Sequence, residues 1–196
     1  MDSARRKPRA DALRNRNRLI EAAKEILGRG GPEASLEAVA RSAGVGIGTL
    51  YRHFPTREAL FQAVYRHEVE QLIELAAELN VTSQGGPAVR AWMHAVVGLV
   101  ATKRGLLGAL AVVATDESKA MFADVTARMK EALEQLLSRA IAEEAMRSDI
   151  TAEDLITMVY SLCYGRPPEP DWEAQVLRLL DIFIDGLVAA PEGRPT

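Results

Sequence analysis

Residues 35–57 read SLEAVARSAGVGIGTLYRHFPTR, and in this stretch two short helix-compatible runs are separated only by Gly44-Val45-Gly46. That is the layout of a helix-turn-helix, whose second helix is laid in the major groove of DNA. Ser35 is placed to cap the first helix, whose inward residues are Leu36, Val39, Ala40 and Ala43. Gly44 tolerates the positive φ of a sharp turn, and Val45 follows as a plug between the helices. In the second helix Leu50 and Phe54 fall four apart and point inward, leaving Gly48, Thr49 and Arg52 on the other side. Pro55 ends that helix and Thr56 caps the next.

Working outward, nearly every other segment has helical periodicity, and the chain reads as all-α. A helix is expected over 14–29, with Leu19, Ala23 and Ile26/Leu27 on one face and Gly28, Gly30 and Gly31-Pro32 as its stop. Residues 1–12, with Arg5, Arg6, Lys7 and Arg9, read as a basic flexible arm. Downstream, a long helix from Arg57 to about Leu79 carries Phe61, Val64, Leu72, Leu75 and Leu79 as its stripe, and Pro87 opens a helix that reaches Val100. Gly105 and Gly108 read as breaks in a further helix ending near Ala114. From Ser118 to Met146, Met121, Val125, Met129, Ala132/Leu133, Leu136 and Ala140 repeat every three or four residues. Thr151-Ala-Glu-Asp forms a capping box, and a last helix is expected from about Asp171 to Ala189. The resulting organisation is a basic arm (1–12), a helix-turn-helix head (13–58), a helical body (59–190), which the family resemblance below implies to be a ligand-binding and dimerisation domain, and a tail (191–196).

Charge is segregated along this order. Residues 1–57 hold 12 Lys+Arg against 6 Asp+Glu, whereas residues 58–196 hold 12 against 21. A net charge of -3 therefore hides a front end suited to a polyanion. At 196 residues the chain is long enough for a substantial core without metals or disulfides. Cys163 is the single cysteine, which excludes an intrachain disulfide and fits a reducing cytosol, so a cytoplasmic location is expected. The uncharged runs 91–102, 105–115 and 155–165 are each too short to span a bilayer. A catalytic reading finds no motif: nothing in the sequence orients His94 toward Cys163, and no phosphate-cradling loop or metal-ligand cluster appears. A helical adaptor using the head for protein contacts is the remaining rival; unlike a DNA-binding protein, it would show no salt-sensitive affinity for DNA.

The last helix is apolar around half its circumference. Trp172, Val176, Leu179, Leu180, Phe183 and Leu187 form one stripe, which Leu177, Ile184 and Val188 widen to about 180°, against about 100° for an ordinary surface helix. Such a helix wants two partners. One is the chain's own core and the other is the same helix of a second copy, with Trp172, Val176, Leu177, Leu180, Phe183, Ile184, Leu187 and Val188 as the expected dimer interface; a helix wedged deeper into the monomer is the alternative.

With these residues in hand, the N-terminal third resembles the TetR family of bacterial transcriptional regulators. The resemblance rests on Arg16, Leu19-Ile20, Ala22-Ala23, Gly30, Ser35, Val39-Ala40, Ala43-Gly44-Val45, Gly48-Thr49-Leu50-Tyr51, His53-Phe54, Arg57 and Leu60. Residues 106–189 look, more loosely, like the ligand-binding and dimerisation domain of one actinobacterial-type branch of that family. The resemblance implies a DNA-binding regulator, most often a repressor, that holds a palindromic operator as a homodimer and is released by a small molecule. It also implies roles: Gly48 for close approach, Thr49 and Arg52 for base edges, and Tyr51, His53, Arg57, Ser35 and Arg16 for phosphates. Gly46 departs from the family, which usually has Ser or Thr as this cap. Ile47, often polar in relatives, either touches a thymine methyl or packs. An apolar or aromatic effector is expected among Trp92, Met93, His94, Leu110, Met121, Phe122, Met129, Met158 and Tyr164, although Met and Trp at helical spacing serve more often as core. No cofactor or metal is expected.

Overall fold

Eight helices and no strand are found among the described residues, in agreement with the all-α reading. The computed structural model describes the backbone over 3–28, 34–110, 116–165, 167 and 169–188, and side chains over the same residues except 3–10, 109–110 and 116–118. The stop signal at Gly30 and Gly31-Pro32, the expected helix end near Ala114 and the tail 191–196 lie outside the described residues.

The helices are α1 (Ser3–Gly28), α2 (Leu36–Ser42), α3 (Ile47–His53), α4 (Arg57–Thr82), α5 (Gly85–Leu110), α6 (Asp116–Ala142), α7 (Ala152–Tyr164) and α8 (Trp172–Asp185). Helix α1 begins eleven residues earlier than expected, at Ser3 instead of Arg14, so residues 3–12 of the expected flexible arm are helical. Ala, Arg, Lys and Leu propagate a helix well, and residues 3–27 contain no glycine to stop it. A second correction concerns α5, which continues to Leu110 instead of breaking at Gly105 and Gly108.

The chain forms two compact units: residues 1–68 with 101–118, and residues 69–100 with 119–196. In the first, Leu19, Ala23, Leu27, Val39, Leu50, Phe54, Leu60, Phe61, Val64 and Leu106 are buried almost completely. Gly105 explains why a helix interior tolerates glycine here. A Cβ at this position would collide with the Gly28 carbonyl, so the close approach of α5 to the end of α1 requires a residue without one. Polar groups stitch α1 to α4: Lys24 Nζ lies 2.8 Å from Glu68, which is 9% exposed, and His67 Nε2 lies 2.6 Å from Glu21 Oε1. Lys103 sits 5.5 Å from the centre of the Tyr65 ring, and burial holds its ammonium below the ordinary lysine range.

In the second unit, the predicted α6 stripe of Met121, Val125, Met129, Ala132, Leu133, Leu136 and Ala140 is buried throughout. The capping box at α7 forms as expected: Thr151 Oγ1 accepts from the Asp154 amide at 3.1 Å, and Asp154 Oδ2 accepts from the Thr151 amide at 3.0 Å. Glu143 accepts from the Gly85 amide at 2.6 Å and from Arg139 at 2.7 Å, while Arg139 also donates to the Asn80 carbonyl. The end of α4 and the start of α5 are thus held by one pair on α6. These bonds, the Gly85 amide first and then Arg139, hold the Glu143 carboxyl below its ordinary value.

Helix α8 ends at Asp185, short of Ala189, because Gly186 is its C-cap. Leu187 and Val188 therefore leave the helix: the Leu187 carbonyl accepts from the Arg147 amide at 2.9 Å, and Val188 forms an isolated antiparallel bridge with Met146. Glycine 105 generates a paired prediction. Gly105→Ala lowers stability by about 1–3 kcal/mol, the usual cost of overpacking, whereas Gly108→Ala, at a site open to solvent, raises it by up to about 1 kcal/mol. Thermal melts of the two variants check it, and equal shifts would refute the close approach.

Candidate nucleic-acid interface

The turn between α2 and α3 closes by two backbone bonds, Val45 N–H to the Ala40 carbonyl and Gly44 N–H to the Arg41 carbonyl, each at 3.0 Å. This is a Schellman termination, and it places Gly44 at φ +67, a region in which an L side chain is strained. The Arg18 guanidinium lies where a Gly44 Cβ would be, so α1 covers the turn. Val45 is half-buried. Gly46 is extended (φ -74, ψ 151) and caps α3 without a side chain, its carbonyl accepting from the Thr49 amide at 2.8 Å.

Sequence and turn together decide which side of α3 faces solvent. Leu50 and Phe54 are buried in the head, at 1% and 2% exposure. Ile47, Gly48, Tyr51 and Arg52 are exposed, whereas Thr49 and His53 are half-buried. Tyr51 is 49% exposed, so its ring does not merely pack the edge of the head. Arg52 makes no ion pair among the described residues.

The residues expected to hold backbone phosphates surround this face. Ser35 Oγ caps α2 by accepting from the Ala38 amide at 3.1 Å, and Thr56 does the same for α4 through the Ala59 amide at 3.1 Å. Ser35, Tyr51 and Arg57 come together, with Leu27 and Leu36, around a cleft of about 120 Å³. Arg16 is exposed, with its guanidinium 5.4 Å from the centre of the Phe54 ring, which fixes its position beside the end of α3. Arg18 was not among the expected residues. Its place over Gly44 and in a second, larger groove with Asn17, Lys24 and Ser42 is a tertiary effect with no signal in local sequence.

The remaining expected site residues divide by burial. Trp92 is wholly buried and its indole N–H donates to the Leu72 carbonyl at 2.9 Å, the situation of a core residue. Met93, Met121 and Met129 are buried, and Phe122 and Met158 are half-buried. Tyr164 is 49% exposed and stacks on Tyr160 at 6.1 Å. The side chain of Leu110 lies outside the described residues. His94 is oriented by Asp181, with Nε2 2.7 Å from Oδ1, and Arg90 also donates to Asp181 at 2.6 Å and to Asp185. Burial works to raise the Asp181 carboxyl, but the bonds from His94 and Arg90 outweigh it and hold it below its ordinary value. Of the expected dimer residues, Val176, Leu180, Ile184 and Leu187 are buried in the chain's own core, which corrects their assignment to an outer surface. Trp172, Leu177 and Phe183 are half-buried and Val188 is exposed; Leu179 (half-buried) and Ile182 (59% exposed) add apolar surface that was not in the expected set.

A three-helix head with a solvent-facing third helix defines a helix-turn-helix DNA-binding protein. Residues 19–64 match the family model for bacterial regulatory proteins of the tetR family, and residues 84–189 match that of the SbtR-like transcriptional regulator C-terminal domain. The chain belongs to the TetR family of transcriptional regulators. The C-terminal match starts at residue 84, well before the Leu106 from which the sequence alone shows likeness. The crystal structure of the TetR regulator SCO0520 from Streptomyces coelicolor is 35% identical, covering 90% of this chain and 99% of that one with a TM-score of 0.75. A TetR regulatory protein from Mycobacterium vanbaalenii is 30% identical, covering 92% and 98% with a TM-score of 0.70. Among curated relatives, the regulator TtgW of Pseudomonas putida is 36% identical over 96 residues, 48% of this chain and 67% of its own length. UidR of Escherichia coli is 38% identical over 64 residues, which is 33% of its length.

The turn geometry carries a prediction of its own. Gly44→Ala destabilises the head by about 1–2 kcal/mol through strain at positive φ, with displacement of Arg18 in addition. Chemical denaturation measures it, and an unchanged midpoint would show that the turn adopts another conformation.

Proposed function

We propose that the protein is a repressor that binds a near-palindromic operator as a homodimer and leaves it when a small apolar or aromatic molecule binds the helical body. The observation that carries the reading is the outward face of α3, where Arg52 is exposed without an ion-pair partner among the described residues. A guanidinium so placed bonds bidentately to guanine, at about 1 to 3 kcal/mol of discrimination. Gly48 admits close approach, Thr49 reaches a base edge, and Tyr51, His53, Arg57, Ser35 and Arg16 hold the flanking phosphates. Arg5, Arg6, Lys7 and Arg9 add charge that is not base-specific.

Dimerisation uses the side of α8 that the chain's own core leaves uncovered. Ile182, Leu179, Phe183 and the half-buried Trp172 form that surface, whereas Leu177 lies across the helix beside Asp181 and Val188 lies beyond the helix end. A two-fold dimer sets the two recognition helices about 34–36 Å apart or at a multiple of it. The effector site draws on Met93, Met121, Phe122, Met129 and Met158, whose side chains adapt to an apolar guest. An effector acts only by preferring the arrangement that does not bind DNA. The protein works in the cytoplasm, on double-stranded DNA, with no metal or cofactor.

Selection of duplexes from a random pool by the purified protein, followed by anisotropy titration at fixed salt, tests this reading. Near-palindromic duplexes are expected, with affinity falling steeply as salt rises. Arg52→Ala weakens binding roughly 5- to 150-fold per half-site; unchanged affinity and site preference would overturn the groove assignment. Separately, Ile182→Asp is expected to halve the mass seen in sedimentation without unfolding the chain. A wild-type protein that sediments as a single copy defeats the dimer.

A further inference from the structure

Ile47 stands alone at the leading end of α3. It is 37% exposed, so more than a third of it faces solvent. On either side are Gly46 and Gly48, and at both positions a Cβ would meet nothing within 4 Å. Neither lies at positive φ. The free chain thus has no steric or conformational need for glycine at either place, in contrast to Gly44 and Gly105. What the two glycines produce is a stretch of bare backbone with one branched apolar side chain projecting from it. Tyr51, one turn later, and Arg52 continue the same exposed face.

A branched aliphatic group exposed on a face that also carries an unpaired arginine is not built for water or for a phosphate. The base edge that complements it in a major groove is the C5-methyl of thymine, the one apolar group displayed there. We infer that Ile47 is a specificity-determining residue that reads a thymine methyl in each half-site, with Gly46 and Gly48 clearing the backbone so that its methyls reach the base. The inference rests on the proposed operator binding, and it assigns sequence preference to an apolar contact in addition to the hydrogen bonds of Arg52.

The test replaces thymine by deoxyuridine, one symmetric pair of positions at a time, in a duplex selected by the wild-type protein. Deoxyuridine pairs as thymine does and lacks only the methyl. At one symmetric pair, wild-type affinity falls about fourfold per half-site, or about fifteenfold for both, the value of a buried methyl-sized group. Ile47→Ala binds the thymine and deoxyuridine duplexes alike at that position, and Ile47→Val lies between. Because Ile47 is exposed, neither variant disturbs the fold, and unchanged melting temperatures check that. Wild-type binding indifferent to deoxyuridine at every position overturns the inference while operator binding stands. A fourfold loss that persists in Ile47→Ala overturns it as well, since another residue then reads the methyl. Failure to select any duplex removes operator binding itself, and the inference with it.

Discussion

The left-handed backbone at Gly44 is the constraint from which the DNA-binding face follows. With φ at +67, the chain leaves α2 through two backbone bonds and re-enters a helix after only two more residues. So short a connection leaves α3 little choice of direction. Leu50 and Phe54 must then fill the head, and the side bearing Ile47, Gly48, Tyr51 and Arg52 must face out. Arg18 closes over the same glycine from α1, so the helix that carries Arg16 is registered against the turn it serves. The outward positions of Ile47, Gly48, Tyr51 and Arg52 thus descend from one backbone angle.

In the second unit the comparable decision is electrostatic. Arg90 and His94 on α5 both bond to Asp181, and Arg90 also to Asp185, which fixes the rotation of α8 about its own axis. Individually, such half-exposed pairs contribute little stability. Their value is geometric: with Val176, Leu180 and Ile184 turned into the core and Asp181 turned to α5, Leu179, Ile182 and Phe183 remain on the side opposite Asp181. A half-circumference of apolar residues is ambiguous by itself. The carboxylates at its border resolve it.

What was legible in the sequence was local. The turn at Gly44, the caps at Ser35 and Thr56 and the capping box at Thr151 each depend on residues within three or four positions of one another, and each forms as read. The α6 stripe is equally plain, because a period of 3.6 over 27 residues admits few other readings. Two of the failures are long-range. Gly105 looks like a break until the Gly28 carbonyl is seen beside it, and no rule of sequence spacing connects two positions 77 apart. The third failure is local: residues 1–12 look like an arm because their charge is more conspicuous than their helix propensity, and residues 3–12 are helical. Four of the eight residues assigned to the dimer surface belong to the core, since periodicity identifies an apolar face without saying which half of it the chain itself covers.

The segregation of charge gains meaning from where the pairs form. In the acidic residues 58–196, carboxylates are tied to cations within the same unit: Glu70 to Arg128, Glu153 to Lys130, Glu143 to Arg139, and Asp181 to Arg90. Those bonds, with the Gly85 amide first for Glu143, hold the Glu70, Glu143 and Asp181 carboxyls below their ordinary values, which keeps them ionised and engaged at neutral pH. A cation in such a pair is a poor ligand for phosphate, because binding DNA would first have to break the pair. Among the described residues Arg52 has no such competitor, and Arg16 is held by a ring, which leaves its charge unneutralised. The whole-chain deficit of positive charge is therefore compatible with strong attraction at one surface: net charge sums groups that are already satisfied with groups that are not, and only the latter meet the nucleic acid.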